Sequence, residues 1–170
     1  ALDQIGEKFG RQEIFLPQLL QSAETVKAGF AVIKGHMDGA GSASLNKGKI
    51  ILATVEGDIH DIGKNIVAML LENYGYEVPD LGKDVPAQRI VDLAKSEEVK
   101  LIGLSALMTT TVNNMKETIT ALRASGVMAA VMVGGAVLNP EYGEYVGADY
   151  YAAEALDSVK IAEGVFSAKM

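Results

Sequence analysis

Lys49–Asn65 reads KIILATVEGDIHDIGKN, and this stretch sets the fold class. Ile50 to Val55 is an apolar run without the polar alternation of a half-exposed strand, so it reads as a strand covered on both faces. A short loop, Glu56 to His60, follows it, and a helix starts near Gly63. The same alternation continues downstream. Strands are predicted at about 49–55, 76–80, 100–105, 129–133 and 149–152, and helices at about 63–74, 86–97, 112–125, 139–146 and 154–167. Gly75, Gly126 and Gly147 stand where helix stops belong. Short buried strands separated by helices imply an α/β domain: a five-stranded, doubly wound parallel sheet with order 2-1-3-4-5.

Upstream, Leu2, Ile5, Phe9, Leu16, Leu19, Leu20, Ala23, Val26, Phe30 and Ile33 recur at helical spacing, mostly three, four and seven. They predict one helix ending near Gly10 and a second from about Leu16 to Lys34, with Pro17 in its first turn, where a missing N–H costs little. Two helices alone bury little and must pack on something else. Gly35 to Gly48 is rich in glycine and small polar residues and reads as a linker, and His36 inside it reads as a solvated linker side chain. The predicted organisation is a helical segment at 1–36, a linker at 37–48 and an α/β domain at 49–170. The chain opens inside an apparent helix, as a piece of a longer protein would.

Composition narrows the function. Of 170 residues, 49% are hydrophobic and 22% charged, as in an ordinary globular protein. A net charge of −7 lacks the basic footprint of a nucleic-acid binder. No apolar run approaches the roughly 20 residues of a membrane span, and no secretory signal is visible. With no cysteine there is no disulfide, thiolate metal site or cysteine nucleophile, which fits a cytoplasmic location.

Open parallel sheets bind ligands outside the carboxyl ends of their strands. Those ends carry Asp58 and His60 after the first strand, Ser105 to Thr111 after the third, and Gly134, Gly135 and Ala136 after the fourth. Two readings of His60 stand side by side. It caps the following helix, or it is a metal ligand whose second ring nitrogen is held by Asp58, with Thr111 extending the relay. Thr109 to Thr111 either start the next helix or supply hydroxyls to a site. Ser105 ends a buried strand and needs a partner, while Gly134 and Gly135 either make a tight turn or admit a ligand close to the backbone. A zinc or iron site lacks further local ligands. One imidazole suffices where a macrocycle supplies the equatorial ligands. Nucleotide readings fail: no GxGxxG follows a strand, and Gly63-Lys64-Asn65 is not a phosphate-loop GK[ST]. Ser105 also stands where a phosphoacceptor receiver domain carries aspartate.

Asp58-Ile59-His60-Asp61-Ile62-Gly63, Ser105-Ala106-Leu107 and Gly134-Gly135 resemble, in order and spacing, the DxHxxG…SxL…GG signature of cobalamin-binding domains. Upstream, Phe9 to Leu20 (FGRQEIFLPQLL) resembles the helical cap before that domain in methionine synthase and in the corrinoid proteins of methyltransferase systems. The resemblance implies a Rossmann-like (flavodoxin-like) fold and a partial cap, two helices of a four-helix bundle. It implies cobalamin or a related corrinoid, cycling between methylcobalamin and cob(I)alamin, with the nucleotide tail buried beside the first, third and fourth strands. His60 would be the lower axial ligand of cobalt, with Asp58 and Thr111 behind it. Threonine at 111 replaces the serine of methionine synthase. Gly63, Ser105, Leu107, Thr109, Gly134 and Gly135 would line the cofactor, and Phe9 and Leu16 would shield the cobalt-bound methyl.

The resemblance further implies a methyl carrier between a substrate-specific methyltransferase and a second methyltransferase serving tetrahydrofolate or a thiol, with a reductive activator as a further partner. No nucleic acid or membrane partner is expected. Such a chain is a subunit or module and not a complete enzyme. The rivals are a module of an adenosylcobalamin mutase, a cobalamin-dependent sensor or regulator, and a flavodoxin-like domain without corrinoid.

Overall fold

The computed structural model describes residues 2–19, 21–22, 24–25, 28–29, 46–97 and 99–167. Four parallel strands lie side by side in chain order: β1 (Ile50–Thr54), β2 (Leu101–Ser105), β3 (Ala130–Gly134) and β4 (Tyr150–Ala152). Helix α1 (Leu2–Gly10) precedes them. In sequence, α2 (Ile62–Asn73) and α3 (Ala87–Glu97) follow β1, α4 (Val112–Ala124) follows β2, α5 (Pro140–Val146) follows β3, and α6 (Ala155–Ser167) follows β4. These bounds match the alternation read from the sequence to within a residue or so.

Every side chain of β1 is buried, as its unbroken apolar run requires. Successive strand residues point to opposite faces, so the core splits into two layers. Ile51, Ala53, Val55, Ile102, Leu104, Val131 and Val133 pack with Ile90 of α3, Met115, Ile119 and Leu122 of α4, and Val146 of α5. Ile50, Leu52, Leu101 and Met132 pack with Leu70 and Leu71 of α2 and with Leu156, Val159 and Ala162 of α6. Each fully buried Leu or Ile contributes roughly 1.5–3 kcal/mol. An exposed pair such as Lys160–Asp157 contributes about 0–1 kcal/mol. The two apolar layers therefore hold the fold.

The sheet has four regular strands, where the sequence pattern predicts five. The segment expected as a strand at 76–80 runs parallel to β1 but touches it only through isolated bridges, Lys49↔Glu77, Leu52↔Asp80 and Val55↔Val85. Glu77 exchanges both backbone bonds with the β1 edge, donating to Gly48 O and accepting from Ile50 N. Two residues on, Pro79 accepts from Leu52 N but has no N–H to donate, so one rung of the ladder is missing. Beyond it, Leu81 N donates to Leu52 O while Gly82 O, one residue later, accepts from Thr54 N, which breaks the register.

At the amino end, 16–19, 21–22, 24–25 and 28–29 also have helical backbone. Leu19 is fully buried, and Ile5, Phe9, Ile14 and Leu16 pack against the layer formed by α2 and α6. A side chain at Gly6 would stand 3.4 Å from the Tyr74 hydroxyl, so α1 sits close on α2. The expected helix through Lys34 is described only in part, and residues 35–45 of the expected linker, His36 among them, lie outside the described residues. Among the described residues, no helix is long and apolar enough to cross a membrane.

Candidate functional site

Asp58 is fully buried at the carboxyl end of the sheet, and five hydrogen bonds converge on its carboxylate. Its Oδ1 accepts from the His60 backbone N–H at 3.0 Å and faces His60 Nδ1 at 2.9 Å. Its Oδ2 accepts from Leu107 N at 2.7 Å, Met108 N at 3.3 Å and Thr111 Oγ1 at 2.9 Å. Burial alone would push the carboxyl up. The Leu107 and His60 backbone N–H groups, the His60 ring and the Thr111 hydroxyl outweigh it and hold Asp58 far below the usual carboxylate range. Asp58 is therefore a carboxylate, and it fixes the proton of His60 on Nδ1.

This geometry overturns the capping reading of the loop. The position before α2 is Asp61, which makes no side-chain cap bond, and the His60 ring is turned to Asp58 instead of capping the helix. With Nδ1 engaged, Nε2 has no hydrogen-bond partner among the described residues, and the side chain is 47% exposed. Thr109–Thr111 form a 3-10 turn before α4. Thr111 does precede the helix, yet its hydroxyl goes to Asp58 Oδ2 and to Met108 O at 2.8 Å and caps nothing. Thr109 and Leu107 are exposed beside it.

A largely apolar cavity of about 460 Å³ opens next to His60, between α2 and α6 over the ends of β1–β3. Leu52, Gly103 and Met132, one register row of the sheet, form its floor. Ser105 and Gly134 occupy the next row, where Ser105 Oγ and Thr54 Oγ1 are 2.8 Å apart. Gly63, Leu107 and Gly135 complete the mouth. Gly135 has φ 141°, and a Cβ there would lie 1.9 Å from the carbonyl oxygen of Ala106, so no other residue fits. A Cβ at Gly103 would meet the ends of Leu52 and Met132 at 2.5 and 2.8 Å. The structure thus brings Asp58, His60, Gly63, Ser105, Leu107, Thr111, Gly134 and Gly135 to one sheet edge. Phe9 and Leu16 are not among them: they lie in the apolar layer under the N-terminal helices, and neither lines the cavity.

Sequence reasoning missed three participants. Gly103, mid-strand in a buried run, carried a signal, since an interior strand glycine often marks close approach of a ligand. Lys64 lines the cavity with its side chain only 2% exposed, paired with Asp80 and donating to Asn65 Oδ1 at 2.7 Å. Asp84 reaches the histidine loop from across the sheet edge. Nothing local in the sequence announces either of the last two.

As a donor set, the site offers one imidazole nitrogen. Among the described residues no three His, Cys, Asp or Glu side chains gather to hold a metal. A single protein nitrogen beside an apolar cavity with glycine-lined walls fits a metal that arrives inside a macrocycle.

The family model described as B12 binding domain matches residues 48–160, and a second model of the same description matches residues 1–34. The chain is 42% identical to dimethylamine corrinoid protein 2 of Methanosarcina mazei over 94% of its own length and 75% of that protein's. A cobalamin-binding protein of Desulfitobacterium hafniense superposes with a TM-score of 0.81 at 39% identity, over 96% of this chain and 77% of that one. The methanol:cobalamin methyltransferase complex MtaBC of Methanosarcina barkeri gives 0.82 at 32% identity, over 99% and 64%. The chain belongs to the B12-binding domain family and, within it, to the corrinoid proteins of methyltransferase systems.

Proposed function

We propose that this chain carries a methyl group between two proteins, taking it from a methyltransferase specific for a methylated amine and yielding it to a second methyltransferase that serves tetrahydrofolate or a thiol. The observation behind this reading is the couple of buried Asp58 and half-exposed His60 at the mouth of an apolar cavity. The amine donor is inferred from the dimethylamine corrinoid relative. Bound here, a corrinoid supplies a cobalt that accepts and releases methyl groups. His60 Nε2 would be the protein's ligand to it, and Asp58 would keep the ring oriented by holding the Nδ1 proton. The Asp58 carboxylate, supported by Thr111 Oγ1, would keep a negative charge beside the imidazole. The cavity walls at Gly103, Ser105, Gly134 and Gly135 would hold the nucleotide tail, and Gly63, Leu107 and the exposed Thr109 nearby would contact the rest of the cofactor.

The same reading divides the chain into a cap at 1–36, a linker at 37–48 and a cofactor domain at 49–170, with 76–80 as the edge strand. Phe9 and Leu16 would shield the bound cofactor only if the N-terminal helices left their position on α2 and α6. In this reading the chain acts as a subunit in the cytoplasm, with a reductive activator as a further partner. The test is to load the protein with hydroxocobalamin, reduce it, and add methyl-labelled dimethylamine with a dimethylamine-specific methyltransferase. One label per bound cofactor, released on adding a thiol and a second methyltransferase, is expected. No label on the protein would contradict the reading.

A further inference from the structure

We propose that Asp84 is a positioning residue for His60, an inference that rests on His60 being the lower ligand of cobalt. The loop Glu56–His60 is held from two sides. From the turn between β2 and α4 come Leu107 N, Met108 N and Thr111 Oγ1, which donate to the Asp58 carboxylate, and from α4 comes Asn114 Nδ2, which donates to Glu56 O at 2.7 Å. From the opposite side comes one residue, Asp84. Its backbone N–H donates to Asp58 O at 2.9 Å, and its Oδ1 accepts from Gly57 N at 2.7 Å. Asp84 thus holds the Glu56–Gly57 and Asp58–Ile59 peptide groups, one on each side of the Gly57–Asp58 pair.

The backbone at Asp84 has φ 53°, a left-handed conformation that most side chains avoid and aspartate tolerates. That conformation aims the N–H and the carboxylate of a single residue at the same loop. Its neighbours anchor it: Val85 N donates to Thr54 O at 3.1 Å, and Gly82 N donates to Asp80 Oδ1 at 2.8 Å. Asp80 in turn pairs with buried Lys64 in the first turn of α2. The segment 80–85 therefore grips the histidine loop at both ends, where the loop leaves β1 and where it enters α2.

The imidazole owes its orientation to Asp58, and Asp58 owes its place to these two sets of contacts. Losing the Asp84 carboxylate frees the Gly57 peptide and lets the loop shift, while both apolar layers stay intact. Asp84 does not line the cavity and is not bonded to the imidazole, so it acts through the loop.

The experiment loads wild type, Asp84→Gly, Asp84→Asn and His60→Ala with hydroxocobalamin and reads the ratio of histidine-ligated to unligated cofactor from the visible spectrum across an acid titration. Melting of the cofactor-free proteins is measured alongside. Glycine accepts the positive φ and removes only the acceptor. Its ratio should fall about 3–10-fold, the worth of one hydrogen bond, with a melting temperature within about 4 °C of wild type. Asparagine keeps an acceptor oxygen and tolerates the same backbone, so it should restore the wild-type ratio. An unchanged ratio in Asp84→Gly, or an equal fall in Asp84→Gly and Asp84→Asn, overturns the role of Asp84 while His60→Ala still loses the ligated spectrum. A His60→Ala spectrum identical to wild type overturns the ligand reading itself, and the role of Asp84 with it.

Discussion

The two faces of the sheet start alike and end differently. Toward α3, α4 and α5, bulky residues continue to the strand ends: Val55, Leu104 and Val133, with Ala106 and Leu138 closing the layer above them. Toward α2 and α6, the row Ile50, Leu101, Ala130 gives way to Leu52, Gly103, Met132 and then to Thr54, Ser105, Gly134. Small side chains at the ends of three adjacent strands leave the cavity of about 460 Å³ beside His60. One face is filled and gives stability. The other is left open at the edge where a doubly wound sheet presents its ligand.

Substitutions on the two faces should separate these roles. The largest loss of stability is expected on the filled face. Ile102→Ala removes a fully buried side chain and should cost about 2–5 kcal/mol. Denaturant unfolding would measure this, and hydroxocobalamin affinity should stay within a few-fold of wild type. On the open face Gly103→Val should do the reverse. The neighbouring ends of Leu52 and Met132 can give way, so stability falls by only about 1–2 kcal/mol. Affinity falls by about 100-fold, the equivalent of ~2.7 kcal/mol of lost contact, because the side chain projects into the cavity. Equal effects of the two variants on affinity would erase the distinction between the faces.

Asp58 sharpens the comparison through pH. Its folded pKa is depressed, so the carboxylate form favours the fold. The contribution is fully present above the unfolded value of about 3.9 and is lost as pH falls below it toward the folded value. Stability of the cofactor-free protein should therefore drop at pH 2–4, by about 2 kcal/mol, and Asp58→Asn should flatten that drop while lowering stability at pH 7. Chemical unfolding at a series of pH values measures both. The smallest effect belongs to Thr111→Val, which removes one donor to Asp58 and should cost about 1 kcal/mol. Thr111→Ser should cost less, since the hydroxyl remains.

Much of this was legible in the sequence, for a physical reason. Strands buried on both faces are continuous apolar runs, and their ends can be read together once the sheet is taken as parallel. That assembled Asp58, His60, Ser105, Thr111, Gly134 and Gly135 from the ends of three separate strands. The edge segment at 76–80 has strand-like composition, but Pro79 withholds one ladder bond, and composition does not show which rung is lost. Phe9 and Leu16 were readable as buried from their helical spacing; which surface they bury against depends on packing, and here it is the α2–α6 layer. The bond between Ser105 and Thr54 depends on strand register. The contacts of Lys64 with Asp80 and of Asp84 with Gly57 join residues 16 and 27 positions apart across a sheet edge, so no local pattern reveals them.

The central claim is that His60, oriented by Asp58, is the protein's ligand to the cofactor metal. The most direct measurement is the visible spectrum of wild type and His60→Ala after reconstitution with hydroxocobalamin at matched occupancy. Wild type should show an imidazole-ligated corrinoid, and His60→Ala should show the spectrum of a corrinoid without a protein nitrogen. Identical spectra from the two proteins would contradict the claim.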